Sequence, residues 1–215
     1  TKPTTAIIGG SKVSTKLSLL NNLIKIFDRL IIGGAMANTF LYAKGFSMGK
    51  SLLEKNLVND AKQIIEKSIN HKKKIILPVD VLCSNSIMNV ENIKCVDVKN
   101  LLPNQIALDV GSKTIKLIES SILKSKTILW NGPLGVFECE PFDSGTNKIA
   151  DIIKKNGNKL NMTTIAGGGD TVAAIKKANA ENFFTYISTS GGAFLEWLEG
   201  KESPGVKALK DNNFS

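Results

Sequence analysis

Four times in this chain a short apolar run breaks into glycines and resumes as a helix-forming stretch. The runs are Ala6-Ile7-Ile8 before Gly9-Gly10, Leu30-Ile31-Ile32 before Gly33-Gly34, Thr164-Ile165-Ala166 before Gly167-Gly168-Gly169, and Tyr186-Ile187-Ser188 shortly before Gly191-Gly192. Short β-branched runs of this kind read as buried strands, and the Ala-rich or periodic stretches after them as helices. Their alternation predicts an α/β fold, a Rossmann-like doubly wound, mainly parallel sheet with helices on both faces. In such a sheet ligands bind in the crevice beyond the carboxyl ends of the strands. A strand that turns sharply into a helix exposes backbone N–H groups there, and glycine lets an anion approach them. Close helix–strand packing alone would explain one or two such turns. Four of them, with lysines and an aspartate added, favour a polyphosphate ligand.

The aspartate is Asp170, in Gly167-Gly168-Gly169-Asp170-Thr171. A carboxylate at this point can hold a Mg²⁺ ion that bridges phosphates; alternatively it caps the helix and the glycines form a tight turn. Lys12 and Lys16 stand four apart, on one side of a helix expected over residues 13–27. Either they contact phosphate, which offsets the cost of cations at a helix N-terminus, or they are surface lysines. The loop Asn131-Gly132-Pro133-Leu134-Gly135-Val136-Phe137-Glu138 also has two readings. It holds a nucleoside, Val136 against the base and Glu138 accepting from ribose hydroxyls, or it is a rigid turn into a helix over residues 142–154. Gly45-Phe46-Ser47-Met48-Gly49-Lys50-Ser51 is one residue short of a P-loop and follows a helix, so it reads as a turn.

The chain has 215 residues, 42% of them hydrophobic, enough for a real core. Its net charge of +9 comes almost wholly from lysine, Arg29 being the single arginine. A nucleic-acid reader would carry more arginine and more stacking aromatics, so no nucleic-acid partner is expected. Cys83, Cys95 and Cys139 are widely spaced and fit neither a disulfide framework nor a zinc site, pointing to a reducing compartment. The only histidine, His71, lies at an expected helix end beside Lys72, Lys73 and Lys74, which disfavours His-dependent hydrolysis. With no long apolar span, the expectation is a cytoplasmic protein without a membrane partner.

The rest of the chain reads as follows. Strands are expected over residues 6–8, 29–32, 74–79, 127–130 and 162–166, and helices over 35–44, 54–70, 112–124 (capped by Ser112) and 171–178. Residues 83–111 read as an excursion of short edge strands. Residues 183–188 and 193–198 form a last strand and helix, and 200–215 a polar surface tail.

Taken together, Gly9-Gly10-Ser11-Lys12-Val13, Leu77-Pro78-Val79-Asp80, Trp130-Asn131-Gly132-Pro133, Gly135-Val136-Phe137-Glu138, Gly167 with its successors to Thr171, and Ser188-Thr189-Ser190-Gly191-Gly192-Ala193 strongly resemble phosphoglycerate kinase, in order and in spacing. The resemblance runs along essentially the whole chain but matches only that family's C-terminal, nucleotide-binding domain. It implies that residues 1–200 are that domain and that 201–215 lead toward an N-terminal domain. That other domain would bind the triose and supply a catalytic arginine.

Residue by residue, the resemblance implies Mg²⁺ with ADP or ATP as cofactor and Asp170 as metal ligand, with Thr171 capping the helix beside the phosphates. Lys16 would contact the transferring phosphoryl group, Lys12 the α-phosphate side, and Gly191 and Gly192 would offer N–H groups near the moving phosphoryl. Gly33, Gly34, Leu52 and Leu108 would form part of the adenine pocket; Asn131, Pro133, Gly135 and Val136 would line the nucleotide, and Glu138 the ribose. Gly167, Gly168 and Gly169 would make the turn at the phosphates. The implied reaction is reversible phosphoryl transfer from 1,3-bisphosphoglycerate to ADP, giving 3-phosphoglycerate and ATP, by a monomer. Ala35, Ser190 and Ser11 stand where the family often has glycine, glycine and alanine; all are small, so nucleotide binding is expected to persist. A dinucleotide-binding oxidoreductase would need G-x-G-x-x-G after the first strand and an acidic residue ending the second, and neither is present. A non-catalytic ATP-binding module is the remaining alternative.

Overall fold

The computed structural model describes residues 1–88, 92–188, 194, 196 and 198–200. Six parallel strands form the main sheet: β1 (Thr4–Ile8), β2 (Arg29–Ile32), β3 (Lys74–Ile76), β7 (Thr127–Asn131), β8 (Thr163–Gly167) and β9 (Tyr186–Ser188). Their order is β3-β2-β1-β7-β8-β9. The chain therefore starts in the middle, winds outward to β3, then returns across β1 and winds outward the other way. That reversal is the doubly wound topology, and it opens a crevice between β1 and β7 at their carboxyl ends.

The central strands are apolar on both faces, as a parallel sheet covered by helices requires. Period-two alternation splits them cleanly. Ala6, Ile8, Leu30, Ile32 and Leu129 face one side, where they join Leu20 and Leu23 of α1 (Leu17–Ile26), Met36 and Phe40 of α2 (Gly34–Ala43), and Ile64 of α3 (Val58–Asn70). Ile7, Ile31, Ile128 and Trp130 face the other, with Ile118 and Ile122 of α4 (Ser112–Leu123), Ile149 and Ile153 of α5 (Ser144–Asn156), and Ile175 of α6 (Gly169–Lys177).

Between β3 and α4 the chain builds a second, antiparallel sheet from β4 (Asp80–Ser84), β5 (Lys94–Asp97) and β6 (Ile106–Val110), in the order β5-β4-β6. It covers its own small cluster of Leu41, Met48, Val81, Cys83, Val98 and Leu101. The expected edge-strand excursion is thus a coherent sheet.

Three local expectations are corrected. The strand expected over 74–79 stops at Ile76 and is an edge strand with Lys74 exposed. Pro78 lacks the N–H to continue a ladder, so the chain leaves the sheet there. Ser112 does not cap α4, whose cap position is Gly111. The cap comes from across the fold: the buried Asp80 carboxylate accepts from the N–H of Lys113 at 2.9 Å, the N–H of Thr114 at 2.8 Å and the Thr114 hydroxyl at 2.7 Å. The helix expected from residue 13 opens instead as a 3₁₀ turn, Ser14–Lys16, held by Glu54, which accepts from the Ser14 N–H at 3.0 Å and its hydroxyl at 2.6 Å. Most of the expected helix over 193–198 and the tail from 201 lie outside the described residues.

Candidate functional site

The carboxyl ends of β1, β2 and β7 bend over one another through backbone. Gly9 donates its N–H to the Asn131 carbonyl at 2.9 Å, Gly33 to Ile8 at 2.9 Å, Gly34 to Leu134 at 2.9 Å, and Met36 to Gly10 at 3.0 Å. Gly34 has φ +66°, and a Cβ there would lie 2.5 Å from the Gly10 carbonyl oxygen. Only glycine fits that crossing. Gly33 backs the same wall against Leu134, where a Cβ would meet the leucine at 2.2 Å.

Beyond these turns lies a cleft of about 310 Å³. Of the residues singled out above, it brings together Gly34, Leu52, Leu108, Pro133, Gly135, Val136, Glu138 and Asp170. One end is apolar, with Leu52, Leu108 and Val136; the other reaches Asp170 at the start of α6. Leu52 stays 57% exposed. An exposed leucine beside Val136 gives a flat aromatic ring apolar walls to slide between. The wall is tied together by the Val136 N–H, which donates to the Leu108 carbonyl at 2.9 Å.

Lys16 stands behind the glycine turns. Its ammonium donates to the Gly9 carbonyl at 2.6 Å and to Asn131 Oδ1 at 2.7 Å. Burial pushes this ammonium down to about 8, against the attraction of Asp170, which favours its charge. Near neutral pH it is thus a cation short of solvent, held by neutral oxygens that a more strongly charged acceptor would displace. Asn131 is itself buried and uses its other end to donate to the Gly167 carbonyl at 2.7 Å, linking β1, β7 and β8.

Thr171 does not cap α6, whose cap position is Gly168. Its fully buried hydroxyl accepts from the Gly132 N–H at 2.6 Å and so fastens the loop after β7 to α6. Gly168 makes the turn with φ +96°, Gly169 is open to solvent, and Gly167 seats Phe194, whose ring would lie 2.2 Å from a Cβ. Lys12 is exposed on the turn ahead of α1 and does not line the cleft. Gly191, Gly192 and Ser190 lie outside the described residues.

The donor set suits one metal type. Asp170 is exposed in the first turn of α6 and makes no hydrogen bond to protein among the described residues. Among those residues no three His, Cys, Asp or Glu side chains come together as a metal cage. A free carboxylate beside a cleft suits Mg²⁺, which is usually bound through one or two carboxylates with water and phosphate oxygens completing the shell. The positive end of α6 faces the same point.

Sequence reasoning missed Asn38, Asp109 and Ile87, which also line the cleft. Asn38 donates from Nδ2 to the Leu52 carbonyl at 3.0 Å, fixing the loop that carries Leu52. Asp109 carried a signal, being a carboxylate near the end of an apolar strand just before Gly111. Ile87 had none, since its place depends on how the small sheet folds back.

A family model for phosphoglycerate kinase matches residues 1–201. Similar curated proteins include phosphoglycerate kinase of Rhodospirillum centenum, 45% identical over 208 residues, covering 97% of this chain and 52% of that protein. That of Methylorubrum extorquens (strain PA1) is 49% identical over 210 residues, with the same coverage. The chain thus spans about half the length of the curated relatives it matches. Among solved structures, phosphoglycerate kinase from Coxiella burnetii superposes with a TM-score of 0.92 at 43% identity, over 98% of this chain and 53% of that one. The enzyme from Pyrococcus horikoshii gives 0.82 at 28% identity, over 98% and 52%.

Proposed function

Because this chain belongs to the phosphoglycerate kinase family, we propose that it is the C-terminal, nucleotide-binding half of a glycolytic kinase. The whole enzyme moves a phosphoryl group reversibly from 1,3-bisphosphoglycerate to ADP. The observation that carries this reading is the one continuous cleft running from apolar Leu52, Leu108 and Val136 to the Asp170 carboxylate at a helix N-terminus, with a half-buried lysine behind it.

In this reading adenine lies between Leu52, Leu108 and Val136 beside Gly33 and Gly34, and Glu138 accepts from the ribose hydroxyls. The phosphates reach the α6 N-terminus at Gly168 and Gly169. Asp170 holds Mg²⁺, which when bound neutralises phosphate charge and holds the oxygens in place. Lys16 exchanges the Gly9 and Asn131 oxygens for those of the transferring phosphoryl group. Its depressed proton affinity makes that exchange favourable, because an anionic partner restores the charge that burial penalises. Asn131 and Thr171 hold the loops at fixed spacing, so the site is organised before the ligand arrives. By the family resemblance Lys12, exposed ahead of α1, would face the α-phosphate side, and Gly191 and Gly192, which lie outside the described residues, would offer donors to the moving group.

In this reading the triose would sit on a second half that lies N-terminal to this one in the whole enzyme, and closure of the two halves would exclude water. No helix among the described residues is long and apolar enough to cross a membrane; a cytoplasmic monomer suits the proposed role. The test is calorimetric titration of MgADP into this chain, then a turnover assay with and without the N-terminal half of a relative. Binding without turnover, and turnover on addition of that half, is the expected result. Turnover by the chain alone would contradict the division of labour, leaving phosphoryl transfer to this half by itself.

A further inference from the structure

The mechanism leaves one buried carboxylate in the cleft without a task. Asp109, on β6, is 4% exposed and lines the cleft next to Leu108. Its Oδ2 accepts from the Gly145 N–H at 2.7 Å and the Ser144 hydroxyl at 3.0 Å, both in the first turn of α5. Its Oδ1 accepts from the Val110 N–H at 2.8 Å. Gly135 lies directly over the carboxylate: a Cβ there would stand 2.3 Å from Oδ1. Three pieces of the fold therefore meet on this one group: the adenine-side strand, the loop carrying Gly135 and Val136, and the positive end of α5.

We infer that Asp109 is a positioning residue for the nucleoside: its carboxylate clamps the Gly135–Val136 wall between β6 and α5 and so sets the width of the apolar end of the cleft. The inference rests on the nucleotide reading above. Asp109 touches no ligand in this scheme; it acts through Gly135 and through the Val136–Leu108 backbone bond.

The clamp is sensitive to pH. Burial raises the Asp109 carboxyl to about 7, the bonds from Gly145, Val110 and Ser144 working against that rise and the nearby Asp143 adding to it. The other elements packed on β6 bring little charge to it. β4 places Leu82 opposite Asp109, and its Asp80 is engaged with the first turn of α4. α2 carries no acidic or basic residue. Asp143 is paired with Lys177 at 2.6 Å, and Glu138, which lines the same cleft, is exposed to solvent. Below neutrality the protonated carboxyl loses accepting strength toward Gly145 and Ser144, and the clamp loosens.

The test is MgADP affinity from pH 6 to 8 for the unaltered chain, Asp109→Asn and Ser144→Ala, each checked for a cooperative thermal transition. Protonation of the nucleotide and of Lys16 affects all three, so the ratio of dissociation constants isolates Asp109. Asp109→Asn should bind about fivefold more weakly at pH 8, the worth of one hydrogen bond, and almost equally at pH 6. Ser144→Ala removes one donor that favours the charge, so its midpoint should move upward. A ratio constant across pH, or a midpoint unmoved by Ser144→Ala, overturns this inference alone. Absence of MgADP binding to the unaltered chain overturns the nucleotide reading and this inference with it.

Discussion

Replacing Lys16 by Met keeps the aliphatic stem and deletes the half-buried ammonium, and its effect can be worked out from the structure. In the folded chain the group ionises near 8, against 10.5 when exposed. The difference of about 2.5 units, at about 1.36 kcal/mol each, means that folding near pH 7 carries roughly 3 kcal/mol to keep Lys16 charged. The folded value lies below the unfolded one, so between pH 8 and 10.5 the unfolded chain holds more protons. That penalty is therefore relieved as pH rises. Integrating the two titrations gives about 2 kcal/mol of added stability from pH 7 to 9.5. The other lysines titrate in both proteins, so the unaltered chain should gain about 2 kcal/mol on Lys16→Met over this range. Urea unfolding at several pH values measures it, as a relative midpoint shift of about 0.7 M for a slope near 3 kcal/mol/M. A difference that stays flat would mean that the ammonium is solvated, and the account of a lysine primed for phosphate would fail.

Further outcomes follow from the same geometry. Gly34→Ala forces a side chain into φ +66° and against the Gly10 carbonyl; a loss of about 3 kcal/mol or more in urea unfolding is expected, with the cleft disrupted. Asp80→Ala should cost about 3 kcal/mol, because two N–H groups and the hydroxyl at the start of α4 lose their acceptor. Burial works against the Asp80 charge, but the bonds from Thr114 and Lys113 outweigh it and hold the carboxyl below its ordinary value. Its contribution is therefore present above about pH 4 and lost as pH falls, so the stability gap to Asp80→Ala should narrow in acid. Asp170→Asn changes an exposed side chain that makes no hydrogen bond to protein among the described residues, and should leave the melting temperature within about a degree or two.

Much of this fold was legible because the information was local. Leu30-Ile31-Ile32 is apolar on both faces and short, so it could only be a covered strand, and β2 runs over Arg29–Ile32 as expected. The glycine pairs marked the strand ends because backbone crosses backbone there. What escaped was long-range. Asp80 caps a helix that begins 32 residues later, and nothing in its neighbours distinguishes it from a surface aspartate. Ser112 had the right residue type in the right place for that cap, yet a buried carboxylate from another strand took the position. Thr171 likewise stood at a helix start, but its hydroxyl was recruited by Gly132, 39 residues away in sequence. The arrangement of β4, β5 and β6 was unreadable because short alternating runs carry no register of their own.

Under the proposed function this chain binds a metal–nucleotide complex through the cleft ending at Asp170. Titrating MgADP into the unaltered chain and into Asp170→Asn, each in magnesium and again in EDTA, tests it most directly. Saturable binding that weakens in the variant and on removing magnesium, with the variant insensitive to the metal, is the expected result. Equal, magnesium-dependent binding by both proteins would contradict it, because the metal would then be held somewhere other than Asp170.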